Sequence, residues 1–316
     1  MILKIIFKNV FRYTILLTII VLTYFYRNDI ANYILRKANP LKKNVVIANN
    51  SYYSNNNLKF VQETDDFVIH KRQDILNIFY TILNSGTKNY EFLCDNSYEN
   101  CLYDVEEVLN DDEILASINN MVHPYNSYEN VSINVSNYGK IEVEITKIYN
   151  DAQMIYINNF LNDYINKNIT TDLSDQEKIK KFHDYVINET SFDLDTANNN
   201  NRNETLSHTA YGLIEHHKAI CGGYSDIMSI YLYMLNIPNY RIATSDHVWN
   251  LVYVDNKWLH LDLTWDDPVT SDGSNQLLYT YFLIDTNTLL KEDTKQHNFN
   301  EYIYSEANNK TIKNNS

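Results

Sequence analysis

The chain has 316 residues, of which 44% are hydrophobic and 13% aromatic, so it can bury a substantial core in one large or two modest domains. This composition excludes disorder over most of the length. The formal net charge of −14, from 40 acidic and 26 basic residues, argues against a nucleic-acid partner, because phosphate recognition needs a basic face.

The N-terminus carries an apolar run, Tyr13–Tyr26, that follows three basic residues: Lys4, Lys8 and Arg12. Counted from position 5, the stretch approaches the roughly 20 residues of a membrane-spanning helix, with the basic side chains reaching toward the headgroups. A cleaved signal peptide and a buried soluble helix are the alternatives. Large residues stand where a small-residue cleavage site would be, and the clustered basic residues disfavour a buried helix. We therefore predict a retained signal anchor over 1–27, with the membrane as a partner.

The cysteines divide into a close pair and a lone residue. Cys94 and Cys101 are seven positions apart, whereas Cys221 stands alone. This spacing fits one disulfide and one reactive thiol, with two buried unpaired cysteines as the alternative. Because disulfides persist outside the cytosol, we predict that the body of the protein is extracytoplasmic.

The first half of the chain gives no sign of its function. Residues 28–62 are rich in Asn and Lys and predict a polar stalk. Apolar periodicity then predicts a small α+β domain of unknown role over 63–170. Its predicted elements are a helix at 72–85, a strand at 90–94, two short helices within 102–122, a hairpin of 130–136 with 140–148, and a helix at 151–168.

The second half opens with a helix and leads to Cys221. Ser174 and Glu177 form a capping-box pattern ahead of a helix that runs to about residue 188. Cys221 precedes Gly222, Gly223 and the amphipathic run Tyr224–Leu235, which places the thiol at a helix N-terminus. Free backbone N–H groups and the helix dipole stabilise a thiolate there, and the small glycines leave room for a substrate backbone.

Residues 247–264 predict a β-hairpin that turns at Asp255-Asn256. Closing the turn there pairs position 254 with 257, 249 with 262 and 247 with 264. His247, Trp249, Asp262 and Thr264 then share one face of the hairpin. His247 and Asp262 become diagonal neighbours about 7–8 Å apart at the backbone. A loop one residue longer would move Asp262 to the opposite face.

Four short sequence segments around these positions resemble segments of the papain-like transglutaminase superfamily. They are AYGLIEHHKAIC, CGGYS, HVWNLV and WLHLDLTWDDP, in that order, and the resemblance covers about residues 173–285. It implies a catalytic triad of Cys221, His247 and Asp262, in which the thiolate forms a thioester with an amide substrate. We expect a substrate pocket near Gly222, Gly223, Tyr224 and Trp249, with Tyr224 and Trp249 as core and pocket wall rather than catalytic residues.

We expect neither a metal nor a cofactor. Asp266-Asp267-Pro268 is better explained as a turn that ends a strand than as a metal site, because adjacent carboxylates without further ligands are weak evidence.

The sequence therefore predicts an α+β protein: a membrane anchor, a stalk, a small α+β region, and a papain-like transglutaminase core over 171–290 with helices packed on an antiparallel sheet. A polar tail would occupy 291–316. The expected function is a cell-surface thiol enzyme that acts on protein or peptide amides, as a peptidase, an amidase or a transglutaminase. A non-catalytic peptide-binding or scaffold module on the same fold is the alternative.

Overall fold

The computed structural model of the chain describes residues 2–38, 58–95, 97–136, 139–198, 206–269, 276–293 and 295–308. Within these ranges helices alternate with short strands, and the strands form a four-stranded, a three-stranded and a two-stranded sheet. The α+β fold class predicted from the sequence is confirmed.

The N-terminus forms two helices, α1 (Ile2–Phe25) and α2 (Arg27–Ala38). The stretch Phe7–Phe25 is long and apolar enough to cross a membrane, and none of it is buried against the rest of the protein. Arg27 lies over the Tyr24 ring, 4.9 Å from its centre.

The predicted stalk over 28–62 is corrected at both ends. Helix α2 occupies its beginning, and three apolar residues near its end are buried in the core, namely Leu58, Phe60 and Val61. The intervening residues 39–57 lie outside the described ranges. The Asn-rich composition of 28–62 predicts a polar segment, but the short apolar part at its end packs into the core.

The first half is built on the four-stranded sheet, in the order β1-β2-β4-β3. Only β1 and β2 are parallel among these pairs. Its elements are β1 (Val68–Ile69), α3 (Arg72–Ser85), β2 (Asn89–Cys94), α4 (Cys101–Leu109), α5 (Asp112–Asn120), β3 (Tyr128–Val135) and β4 (Lys140–Lys147). The predicted helices and hairpin of this region are confirmed, and a disulfide joins Cys94 at the end of β2 to Cys101 at the start of α4.

The second half packs helices on the antiparallel sheet β7-β8-β9. Its elements are α6 (Asp151–Asn168), α7 (Asp175–Glu189), β5 (Ser191–Phe192), α8 (Leu194–Asn198), α9 (Ala210–His216), β6 (Lys218–Ala219), α10 (Cys221–Met234), β7 (Asn239–Ala243), β8 (Val248–Val254), β9 (Lys257–Leu261), α11 (Leu263–Asp266) and α12 (Thr286–Glu292). Helix α7 begins with the predicted capping box of Ser174 and Glu177. Helix α10 lies on the sheet, where Ile227 and Ile230 share a core cluster with Val252.

The two halves share core packing, and their division differs from the predicted boundary at 170/171. Tyr164 of α6 packs on Phe182 of α7 at 4.9 Å between ring centres, so α6 belongs with the second half. In the other direction, Tyr240 and Trp249 of the three-stranded sheet join the core cluster of the first half. The two halves therefore share buried side chains.

The predicted polar tail from residue 291 is also corrected. Residues 295–308 pack into the shared core through Phe299, Ile303, Tyr304 and Ala307. The Tyr304 hydroxyl donates a hydrogen bond to Ser117 of α5. A few apolar residues spaced among polar ones are enough to bury this segment, whereas the final residues 309–316 lie outside the described ranges.

A buried ion pair within the second half also hydrogen-bonds the first half. Arg241 of β7 pairs with Asp226 of α10, and both side chains are almost completely buried. The same guanidinium donates to the Asn119 carbonyl (3.0 Å) and the Ser127 hydroxyl (2.7 Å). Asp226 also accepts from the Tyr149 hydroxyl at 2.5 Å. These hydrogen bonds offset the cost of burying both charges.

Removing one member of this pair should strongly destabilise the protein, because the other charge would remain buried without a partner. We expect Arg241→Met to lower the free energy of unfolding by about 3–5 kcal/mol. The measurement is urea unfolding of the full chain in detergent, followed by tryptophan fluorescence. Arg72→Met is the matched control, because it removes an exposed pair with Glu107 and should cost about 0–1 kcal/mol. Equal losses in both variants would contradict the structural role of Arg241.

Candidate active site

Cys221 is the first residue of α10. Ile220 precedes it in an extended conformation, and its backbone N–H is held by the Ser207 carbonyl at 2.9 Å. The N–H groups of Gly223 and Tyr224 donate to the Ile220 carbonyl, which leaves those of Cys221 and Gly222 at the front of the helix. Cys221 is a free, partly exposed cysteine. The predicted placement of this thiol at a helix N-terminus is confirmed.

The glycines after Cys221 serve packing within the protein, which corrects their predicted place in the substrate pocket. A Cβ on Gly222 would lie 2.8 Å from the His208 carbonyl oxygen, and one on Gly223 would lie 2.6 Å from that of Ser207. Both contacts are with a neighbouring backbone segment, so the small residues let that segment pass close to α10.

The hairpin of β8 and β9 has the predicted register. Val254 pairs with Lys257 and Asn250 pairs with Leu261 across a turn whose two residues both have positive φ. The strand ends at Leu261, which corrects the prediction that it continues to Thr264. Asp262 instead begins α11, where its Oδ1 accepts hydrogen bonds from the backbone N–H groups of Thr264 and Trp265.

His247 and Asp262 meet at the open end of this hairpin. Nε2 of His247 lies 2.5 Å from Oδ2 of Asp262, and both side chains are buried. Cys221 lines the same cleft as His247, and its side chain helps to raise the pKa of that imidazole. The three residues of the predicted triad are therefore brought together.

The electrostatics of this group favour a charged imidazole and a charged carboxylate. Burial would lower the pKa of His247, but the Asp262 carboxylate and the hydrogen bond to Cys221 raise it to about 10. Burial would raise the pKa of Asp262, but the charges and hydrogen bonds of His247 and His297 hold it well below its usual range. At neutral pH the site therefore carries an imidazolium against a carboxylate.

Trp249 supports His247 from behind, which corrects its predicted place in the pocket. Its ring stacks on the His247 imidazole at 5.5 Å between ring centres and an angle of 16°. The indole N–H donates to His260 Nδ1 at 3.0 Å, and His260 Nε2 lies 3.0 Å from the Thr286 hydroxyl oxygen. Burial, with a smaller contribution from His297, lowers the pKa of His260 to about 3, so this ring is neutral.

Sequence reasoning missed His297 and Asp293. His297 is fully buried, with Nε2 at 2.9 Å from Asp262 Oδ2 and Nδ1 at 3.0 Å from Asp293 Oδ2. Both residues lie within 291–316, the predicted polar tail. The apolar residues that follow, including Phe299 and Ile303, were the available signal that this segment is packed.

Tyr224 and the two aspartates after α11 form buried contacts beside the site. The Tyr224 hydroxyl donates to Asp267, so Tyr224 supports the site from within the core rather than lining a pocket. Asp266 faces His183 Nε2 at 3.1 Å and accepts from the Tyr281 backbone N–H. Both carboxylates are thus occupied by protein partners.

Among the residues that the structure describes, His247, Asp262 and His297 are a group whose ligand atoms lie within 4.8 Å of one another, close enough to be considered for a metal. Nε2 of His247 and Nε2 of His297, however, both point at Asp262 Oδ2, at 2.5 and 2.9 Å. These are hydrogen-bond distances, so in this arrangement both imidazoles serve the carboxylate as hydrogen-bonding partners. The two imidazoles and the carboxylate are thus linked by hydrogen bonds.

A cleft of about 410 Å³ opens on Cys221 and His247. Its apolar walls come from Phe192, Leu194, Ala197, Ile220, Trp265, Pro268 and Val269. Its polar lining includes the carboxylates of Asp246 and Asp267 together with Gln296, and no Lys or Arg occurs among its described lining residues. The predicted pocket residues Gly222, Gly223, Tyr224 and Trp249 lie outside this lining.

Parts of the chain are similar to known proteins. Residues 161–263 match the sequence profile of the transglutaminase-like superfamily, a span that includes Cys221, His247 and Asp262. A crystal structure of a transglutaminase is similar over 44% of this chain and 45% of its own, at 21% identity and a TM-score of 0.34. A candidate cysteine protease from Cytophaga hutchinsonii is similar over 43% of this chain and 61% of its own, at 9% identity and a TM-score of 0.27.

The chain thus spans 45% and 61% of the lengths of these two structures. No curated protein matches it. The similarity to the transglutaminase-like superfamily therefore lies in residues 161–263.

Proposed function

We propose that the chain is a membrane-anchored cell-surface thiol enzyme that acts on protein or peptide amide bonds. Its catalytic residues are Cys221, His247 and Asp262. The observation that carries the proposal is the His247 imidazole, which contacts Asp262 at 2.5 Å and lines the same cleft as Cys221. A buried base between a carboxylate and a thiol at a helix N-terminus is the arrangement that activates cysteine nucleophiles.

The residues would act in two steps. The Cys221 sulfur, with its proton on His247, attacks the amide carbonyl carbon, and the backbone N–H of Cys221 at the start of α10 stabilises the oxyanion. The intermediate expels the amine, which takes the proton from His247, and a thioester remains. Water or a second amine then attacks the thioester, gives a proton to His247 and releases Cys221.

The cleft suggests which amides fit. Its walls are mostly apolar, and its described charged groups are the carboxylates of Asp246 and Asp267. Burial raises the pKa of Asp267 to about 6, so this carboxyl group is still largely ionised at neutral pH. Apolar and cationic side chains should therefore bind beside the scissile amide, whereas acidic side chains should be repelled.

The alkylation rate of Cys221 by iodoacetamide tests the thiolate–imidazolium pair. We expect fast reaction at about pH 6, where an ordinary cysteine with a pKa of about 8.5 is almost fully protonated. His247→Ala should lower this rate at least about tenfold. Asp262→Asn should also lower it, because burial then lowers the pKa of His247 without an opposing carboxylate.

Cys221→Ser is the control for labelling, since the other cysteines are joined in a disulfide. A wild-type rate equal to that of His247→Ala, or no reaction while the protein is folded, would contradict the enzyme proposal. The alternative, a peptide-binding module on the same fold, would then be favoured.

Incubation with a fluorescent amine and a glutamine-rich protein separates the two acyl acceptors. We expect water to be the acceptor, because a cleft open at Cys221 admits solvent. Cleavage or deamidation products should then form without incorporation of the amine. Incorporation that depends on Cys221 would assign the transglutaminase reaction instead. Cys221→Ser provides the background for both products.

Membrane anchoring is supported by the exposed apolar helix α1, and an extracytoplasmic body by the disulfide. We expect a membrane-impermeant maleimide to label Cys221 in intact cells and the labelled protein to remain in the membrane fraction after alkaline carbonate washing. Labelling that requires permeabilised cells would place the domain on the cytosolic side. Release by carbonate would contradict a retained anchor.

A further inference from the structure

His297 binds the same Asp262 oxygen as His247 and is completely buried. Its other ring nitrogen faces Asp293, and the Tyr281 ring stacks on it at 5.1 Å between ring centres. The proposed reaction uses Cys221, His247 and Asp262, so the placement of a second buried histidine on that carboxylate requires its own explanation.

Both ring nitrogens of His297 lie within hydrogen-bond distance of a carboxylate oxygen, Nε2 of Asp262 and Nδ1 of Asp293. A neutral imidazole has one donor nitrogen and one acceptor nitrogen. Because both nitrogens of His297 face carboxylate oxygens, a neutral ring would direct a lone pair at one of them. Two favourable contacts require a proton on each nitrogen.

Both carboxylates are held in their charged form. Burial would raise the pKa of Asp293, but backbone N–H groups of Lys295 and Gln296, together with His297, lower it. The pKa of Asp262 is likewise held well below its usual range. The ring therefore lies between two anions.

We propose that His297 is an imidazolium that bridges Asp293 to Asp262 and positions the Asp262 carboxylate on His247. The proposal rests on the proposed triad, because His297 acts on the reaction through Asp262. It makes His297 a positioning residue and extends the site into the C-terminal segment.

The shared carboxylate has two consequences. Asp262 Oδ2 is held by two imidazoles while Oδ1 accepts from two backbone N–H groups, so the carboxylate cannot rotate away from His247. The charge of Oδ2 is also divided between two cations. A neutral residue at position 297 would leave the negative charge of Oδ2 facing His247 alone, and this would raise the pKa of His247.

The titratable groups that face His297 are Asp262, Asp293, His247, His260 and Tyr281. His260 is neutral, and burial with nearby acidic groups raises the pKa of Tyr281 to about 12, so this hydroxyl is neutral as well. The charge balance around His297 is therefore set by the two carboxylates and the His247 imidazolium.

Nitrogen NMR of the full chain, labelled with ¹⁵N-histidine in detergent, tests the charge. At about pH 7.5, where an ordinary histidine with a pKa of about 6.5 is mostly neutral, we expect His297 to give two protonated-nitrogen signals. These signals should disappear in His297→Gln. Asp293→Asn should convert them to one protonated and one unprotonated nitrogen, since an amide can donate to the ring. A neutral ring in the wild type would overturn the proposal.

The alkylation rate of Cys221 tests the positioning role. We expect His297→Ala to slow the reaction at about pH 6 by about tenfold, the lower range for loss of an orienting partner. His297→Gln keeps an amide donor for Asp262 and should retain most of the rate. In the glutamine variant the upper step of the pH profile, where His247 loses its proton, should move to higher pH.

Equal losses of rate in the alanine and glutamine variants, with an unmoved upper step, would reduce His297 to a packing residue and overturn the proposal. If the alanine variant does not fold, the glutamine and Asp293→Asn variants carry the test. A wild-type thiol without His247-dependent reactivity would overturn the proposed function and the positioning role with it, whereas the NMR result would still decide the charge.

Discussion

The buried carboxylate of Asp262 is the point on which the candidate site depends. One of its oxygens accepts from His247 and His297, and the other from two backbone N–H groups at the start of α11. An ionised carboxylate away from water costs several kcal/mol unless such partners surround it. The donors come from the loop before β8, from α11 and from the C-terminal segment, so the carboxylate brings three separate parts of the chain together.

Around this group, rings fix the imidazole that would carry the proton. Trp249 stacks on His247 and is itself anchored through His260 and Thr286 to the Ala307 carbonyl. Each polar group in this series has a hydrogen-bonding partner, as a low-dielectric interior demands. The C-terminal segment therefore supports the site from two directions, through Asp262 and through Trp249.

The first half of the chain contributes to the site indirectly. Asp226 lies on the same helix as Cys221, and it is held by Arg241, which also binds carbonyl and hydroxyl groups of the first half. Tyr149 adds a further hydrogen bond to Asp226 and accepts one from the Ala210 backbone N–H. This network links the helix of the thiol to the supporting sheet, which gives residues 58–147 a structural purpose.

The sequence by itself determined the local structure. Helix starts such as that at Ser174 and the turn at Asp255-Asn256 depend on neighbouring residues, and the hairpin register follows from the turn, which is why His247 and Asp262 could be placed together. Only the tertiary structure decided the contact of His297 with Asp262, 35 residues before it, the packing of residues 295–308, and the lining of the cleft. These features depend on contacts between distant segments, and periodicity in a single segment carries no information about the surface it will meet.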